Sequence, residues 1–152
     1  MTPARLLSSH PVFPTPDIRR TADLYTRVLG FRAVEYLDAA EPHVCLYRDG
    51  VEIILTGSGA RPVAPNHELY GYGYGAYLIT QDQDELQREL TSAGALIVRS
   101  LARTDYHNSE FVIEDVDGRW IGFGIKDDDA DASSAAGQSS ANDPVTISPA
   151  GS

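Results

Sequence analysis

Two stretches of this chain are punctuated alike, and each is followed by the same succession of short apolar runs. Asp17 stands before Ile18, Ala22, Tyr25, Val28 and Leu29, which share one stripe of a 3.6-residue period, and Gly30 supplies the stop. Asp82 opens a D-x-x-E box ahead of Leu86, Leu90 and Ala93, with Gly94 as terminator. A strand-like run precedes each helix, at 10–15 and 75–80. Three more follow each, at 31–37, 43–47 and 51–56, then at 95–101, 108–114 and 119–125. Asp49-Gly50 and Asp117-Gly118 fall at the last hairpin of each half, where a positive φ is wanted. The chain therefore spells β-α-β-β-β twice, with 57–72 as the connection.

That pattern predicts an α+β fold of two βαβββ modules, about 9–57 and 73–125, in one domain over 9–125. One helix cannot cover both faces of four strands, so the halves must pair, within a chain or between chains. Curved mixed sheets paired in this way enclose a cavity, and their inner face is where a ligand belongs.

Beyond the last strand-like run the composition changes. Residues 126–152 hold one Lys, five Asp and few large apolar side chains, too little to offset an ordering cost of roughly 1–2 kcal/mol per residue, and a disordered acidic tail is expected there. The whole chain carries a formal charge of −10, which repels phosphate backbones and argues against nucleic-acid partners. No run approaches the ~18 apolar residues of a membrane span and the N-terminus lacks a signal pattern, so a cytoplasmic chain without a membrane partner is expected. The single cysteine, Cys45, excludes an internal disulfide and a cysteine zinc cluster, and between Val44 and Leu46 it is a small buried hydrophobe. No G-x-S-x-G elbow occurs, and Glu110 and Glu114, four apart on a strand, form no acid–base dyad.

Two aromatic arrangements stand out. Trp120, Gly122 and Gly124 alternate with Ile121, Phe123 and Ile125, so one face of the last strand is core and the other an indole beside two bare backbone positions. Such a face leaves room for a flat ligand; equally, the glycines relieve crowding in a bent sheet. Tyr70, Tyr72 and Tyr74 alternate with Gly71, Gly73 and Gly75, either as an aromatic lip or as a strand with tyrosine on one side. This stretch lacks the Lys-Ser/Thr of a phosphate loop.

HPVFPTPDIRRTADLYTRVLGF resembles the opening of the glyoxalase, bleomycin-resistance and extradiol-dioxygenase superfamily, with its vicinal oxygen chelate fold, and FVIEDVDGRWIGFGI is similar to its closing strand–turn–strand. The resemblance implies paired βαβββ modules and a homodimer. Enzymes of that family hold a divalent metal with inward His, Gln or Glu side chains. The matching positions here are His10, Gly75, Gly122 and Ile54, with Glu52 on the same side as Ile54. One imidazole and one displaced carboxylate fall short of the three or four protein ligands a catalytic metal needs, so no metal and no cofactor are expected.

The nearer likeness is to the bleomycin-resistance branch, whose small acidic dimers sequester a cationic glycopeptide without changing it. The expectation is a homodimeric, metal-free protein binding an aromatic, positively charged, antibiotic-like small molecule. Trp120, Tyr70, Tyr72, Tyr74 and Tyr106 would supply ring contacts, and Glu52, Glu110 and Asp105 would meet the positive group. Where resistance proteins carry Trp-Gly before the closing Glu-Phe, this chain has His107-Asn108, so stacking would pass to Tyr106 or His107. Two alternatives stand: a metal-dependent lyase, isomerase or dioxygenase using His10 and Glu52, and a non-catalytic dimerisation or regulatory module whose cavity is filled by its own tyrosines.

Overall fold

The computed structural model describes residues 1–127. Residues 128–152, which hold most of the tail expected from the sequence, lie outside them. The first module runs β1 (Val12–Thr15), α1 (Ile18–Arg27), β2 (Arg32–Tyr36), β3 (His43–Arg48) and β4 (Val51–Gly57). A short helix, α2 (Asn66–Tyr70), interrupts the connection. The second module follows as β5 (Ala76–Ile79), α3 (Gln83–Ser92), β6 (Leu96–Arg103), β7 (Asn108–Glu114) and β8 (Trp120–Lys126). Each module is a four-stranded mixed sheet, ordered β1-β4-β3-β2 and β5-β8-β7-β6. The first strand of each lies parallel to the last, and the other pairings are antiparallel. The fold is α+β, two βαβββ modules, as the repeated pattern predicts.

The apolar stripes account for the core. Tyr25, Leu29 and Phe31 from α1 and its exit join Leu46, Ile53 and Leu55 of the first sheet with Leu90, Phe111, Ile113, Ile121 and Phe123 of the second in a single buried cluster. Asp17 caps α1, its Oδ1 accepting from the Arg20 N–H at 3.1 Å. Asp82 departs from the capping box expected of it. Its backbone sits at φ −106°, ψ 42°, its side chain makes no cap bond, and its own N–H donates to Thr80 Oγ1 at 3.0 Å. The two Asp-Gly turns also differ, since Gly118 takes the positive φ in the second (89°) whereas Asp49 takes it in the first (50°).

Buried polar contacts join the modules. The Arg119–Asp115 ion pair, 2.9 Å long and almost wholly buried, receives the Tyr25 hydroxyl on Asp115 Oδ2 at 2.8 Å. Thr21 donates to Asp117 at 2.6 Å, and Arg119 also donates to the Pro14 carbonyl and lies over the Phe13 ring. At the periphery Arg48 reaches from β3 to both oxygens of Glu89 on α3, at 2.9 and 3.0 Å. Lys126 and Asp127, assigned to the tail by composition, are held: Lys126 ends β8, and Asp127 accepts from Ser109 Oγ and pairs with Arg103, each at 2.8 Å.

Candidate functional site

The core takes one face of the second sheet; the opposite face carries Tyr77 on β5, Trp120, Gly122 and Gly124 on β8, and Asn108, Glu110, Val112 and Glu114 on β7. Alternation on each strand and the registers Tyr77↔Gly122, Val112↔Gly122 and Glu110↔Gly124 place them together. Glu110 is only 4% exposed. Its Oε1 accepts the Tyr77 hydroxyl at 2.9 Å, and its Oε2 accepts the hydroxyls of Tyr106, at 2.8 Å, and Tyr74. Three phenolic donors on one carboxylate satisfy a buried charge that would otherwise be costly. Burial, reinforced by that carboxylate, holds the Tyr74 and Tyr77 phenols well above their ordinary range, and raises Tyr106 as well, so the three stay protonated donors into alkaline pH.

Asn108 donates through Nδ2 to the Tyr77 hydroxyl at 2.8 Å, while its Oδ1 is buried without a partner among the described residues. A buried acceptor left open in an otherwise satisfied network is a place where a donor is wanted.

The space above Gly122 and Gly124 is filled from within. A Cβ on Gly122 would stand 2.7 Å from Tyr77 Cδ1, and one on Gly124 would meet Glu110 Cβ and the Tyr77 hydroxyl at 2.6 Å. Of the two readings left open by the sequence, relief of crowding describes these glycines, and the shelf expected beside the indole is taken by Tyr77. Trp120 is likewise engaged. His67 of α2 stacks on it with centroids 3.9 Å apart and planes 8° from parallel, its Nε1–H donates to Glu114 at 3.1 Å, and the Arg99 guanidinium carbon lies 5.2 Å from the ring centre. Arg99 also lies over Tyr74, at 5.8 Å.

The remaining predicted residues divide. Tyr74 and Tyr106 join the Glu110 cluster. Tyr70 ends α2 and Tyr72 follows its left-handed Gly71 cap; both are largely exposed, at 70% and 77%, and apart from the cluster. His107 takes a positive φ of 67° in the β6–β7 turn and is exposed there with Asp105. Glu110, expected to meet a positive ligand group, is spent on the three hydroxyls.

His10 and Glu52 meet on the first module, Nε2 to Oε1 3.4 Å, beside a groove of about 950 Å3 that runs along β5 and α3 and is floored by Leu29, Phe31, Leu78 and Leu86. Among the described residues no three His, Cys, Asp or Glu side chains converge as metal ligands. The metal positions implied for the second module, Gly75 and Gly122, offer no donor side chain, so these residues do not fit the metal set of the family's enzymes.

A family model describing the glyoxalase/bleomycin resistance protein/dioxygenase superfamily matches residues 8–123. The chain belongs to that superfamily. Among solved structures it is similar to UcmS2 (19% identity, covering 80% of this chain and 98% of that one, TM-score 0.63). It is also similar to TioX from Micromonospora sp. ML1 (24% identity, 77% and 98% covered, TM-score 0.57). A superfamily member from Sphaerobacter thermophilus gives 22% identity, 79% and 97% coverage and a TM-score of 0.62. At these identities the likeness speaks for the fold. A comparison with proteins of curated function returns no match.

Sequence reasoning missed Tyr77, Arg99, His67 and Asn108. Tyr77 was open to discovery from the alternation of Gly75, Tyr77 and Ile79 with Ala76 and Leu78.

Proposed function

We propose that this superfamily member is a non-catalytic binding protein that sequesters an aromatic small molecule, of antibiotic type, against the inner face of its second sheet. The observation that carries the reading is the Tyr74–Tyr77–Tyr106 cluster locked onto Glu110: rings of fixed orientation, where a catalytic centre would need titratable groups free to act. The reading takes the chain as cytoplasmic and as a homodimer, β1 and β5 each being an edge strand of its own sheet. No helix of the described residues is long and apolar enough to cross a membrane.

Trp120, the single tryptophan, reports on the site. Titration with aromatic antibiotics, a bleomycin among them, is expected to change its fluorescence saturably, with the compound recovered intact by mass spectrometry. Chemical conversion of the compound, or the absence of saturable binding across the panel, overturns the proposal.

Two observations favour other readings. His10 and Glu52 lie 3.4 Å apart, and stoichiometric divalent metal lost on His10→Ala would establish a metal-dependent lyase, isomerase or dioxygenase instead. Tyr77 seated over Gly122 suits a regulatory or dimerisation module filled by its own side chains. That module would show no thermal shift with any ligand, whereas a ligand at 100 times its dissociation constant adds about 2.7 kcal/mol.

A further inference from the structure

We infer that Arg99 is the anchor for the ligand's charged group, so that the molecule this face takes is a planar aromatic acid and not an aromatic amine. The inference rests on the binding reading above and fixes the sign of the ligand's charge.

Arg99 projects from β6 opposite Val112, exposed, with its guanidinium carbon 5.2 Å from the Trp120 ring centre and 5.8 Å from that of Tyr74. Aromatic faces hold a guanidinium flat without using its N–H groups, which stay in plane as a fork suited to a carboxylate. Among the described residues no carboxylate lies within ion-pair distance of Arg99. Arg19, Arg27, Arg48, Arg88, Arg103 and Arg119 each have one; Arg5, Arg20, Arg32 and Arg61 share the lack, and of these five Arg99 alone lies over two rings.

Of the acids on the same face, Glu110 is closed off and Glu114 has one oxygen engaged. Glu110 is buried under three hydroxyls, and Glu114 accepts the indole N–H. A positive ligand group thus finds no open oxygen at Glu110, while a negative one finds an unused bidentate donor between two rings. The overall charge of −10 acts at longer range and is screened over roughly 8 Å at physiological salt, so the group in contact decides. The first sheet repeats the device. Arg32 on β2 lies over Tyr47 at 4.8 Å, also without a carboxylate partner among the described residues.

The test compares two probes with one ring system, pyrene-1-carboxylate and pyren-1-ylmethylammonium, by fluorescence anisotropy on the full chain. Expected is at least tenfold tighter binding of the carboxylate, weakened at 0.5 M salt. Arg99→Gln should abolish that preference by lowering carboxylate affinity about tenfold, and Arg99→Lys should keep part of it. Arg88→Gln, which removes the same charge from the outside of α3, should change nothing, and melting temperatures should show all variants folded. Equal or tighter binding of the ammonium probe, or a carboxylate affinity untouched by Arg99→Gln, overturns the inference and leaves the binding reading standing. If neither probe binds, the inference falls, and the antibiotic panel decides the binding reading separately.

Discussion

Replacing Gly122 with alanine tests whether Tyr77 truly owns the space above β8. The added Cβ would lie 2.7 Å from Tyr77 Cδ1 and 3.0 Å from Cε1. Ordinary carbon contacts begin near 3.4 Å, so the ring must retreat by roughly 0.7 Å. Its hydroxyl is tied to Glu110 at 2.9 Å and to Asn108 at 2.8 Å, and a retreat of that size stretches the first bond to roughly 3.6 Å, beyond hydrogen-bonding range. Overpacking or the loss of a bond to a charged acceptor each cost about 1–3 kcal/mol. Gly122 does not have a positive φ, so alanine also restricts the unfolded chain and returns about 0.4–1 kcal/mol. The net expectation is destabilisation by about 1–2 kcal/mol, or a melting temperature about 5 °C lower. Gly50→Ala is the control, because a Cβ there meets nothing within 4 Å, and it should be neutral or slightly stabilising. Thermal and urea unfolding of the two variants decide the matter. In a cycle with Tyr77→Val, the Gly122 penalty should shrink by about 1 kcal/mol once the ring is gone. A Gly122→Ala protein as stable as Gly50→Ala would refute the reasoning and restore an open shelf beside Trp120.

The joint between modules makes a second prediction: Tyr25→Phe removes a buried donor from Asp115 and should lower unfolding stability by about 2 kcal/mol in urea, whereas a loss under ~0.5 kcal/mol would mean the bond contributes nothing. A third concerns alkaline pH. Burial holds the phenols of Tyr25, Tyr74, Tyr77 and Tyr106 above the ordinary value of 10.0, so the folded chain keeps protons that the unfolded chain releases. Their stabilising effect is whole below pH 10 and is lost as pH climbs beyond it. Absorbance at 295 nm at pH 11 should therefore show fewer ionised tyrosines in the folded protein than in guanidinium, and the urea midpoint should fall above pH 10 less steeply in a Tyr74→Phe/Tyr77→Phe variant. Coincident titration of folded and denatured chains would contradict the burial of these hydroxyls.

The architecture was legible because it rests on local periodicity. The stripe from Ile18 to Leu29 and the run Leu86, Leu90, Ala93 announce α1 and α3, glycine ends both, and period-2 runs mark the strands. Short elements escaped. The five residues of α2 carry no apolar stripe and no side-chain cap, and what ends the helix is Gly71 in the left-handed region, φ 87°, within a stretch whose glycines suggested an aromatic lip. Yet this helix delivers His67 to the indole, which changes what Trp120 can do.

The inner face of the second sheet was harder to read, because its chemistry depends on register between distant strands. Nothing local states that Tyr77 pairs with Gly122 or that Glu110 pairs with Gly124, and these pairings turn two glycines from open floor into ring seats. Arg99 was hidden by a different cause. The β6–β7 ladder shifts register between Ile97 and Arg99 and again between Arg99 and Ala102, so simple alternation along β6 no longer says which side chains face inward. A register shift of this kind lets an edge strand aim one long cation over aromatic rings while its neighbours keep the core. The placement of Arg99 over Trp120 and Tyr74 thus comes from an irregularity in pairing, whereas the acidic composition describes only the field around the whole molecule.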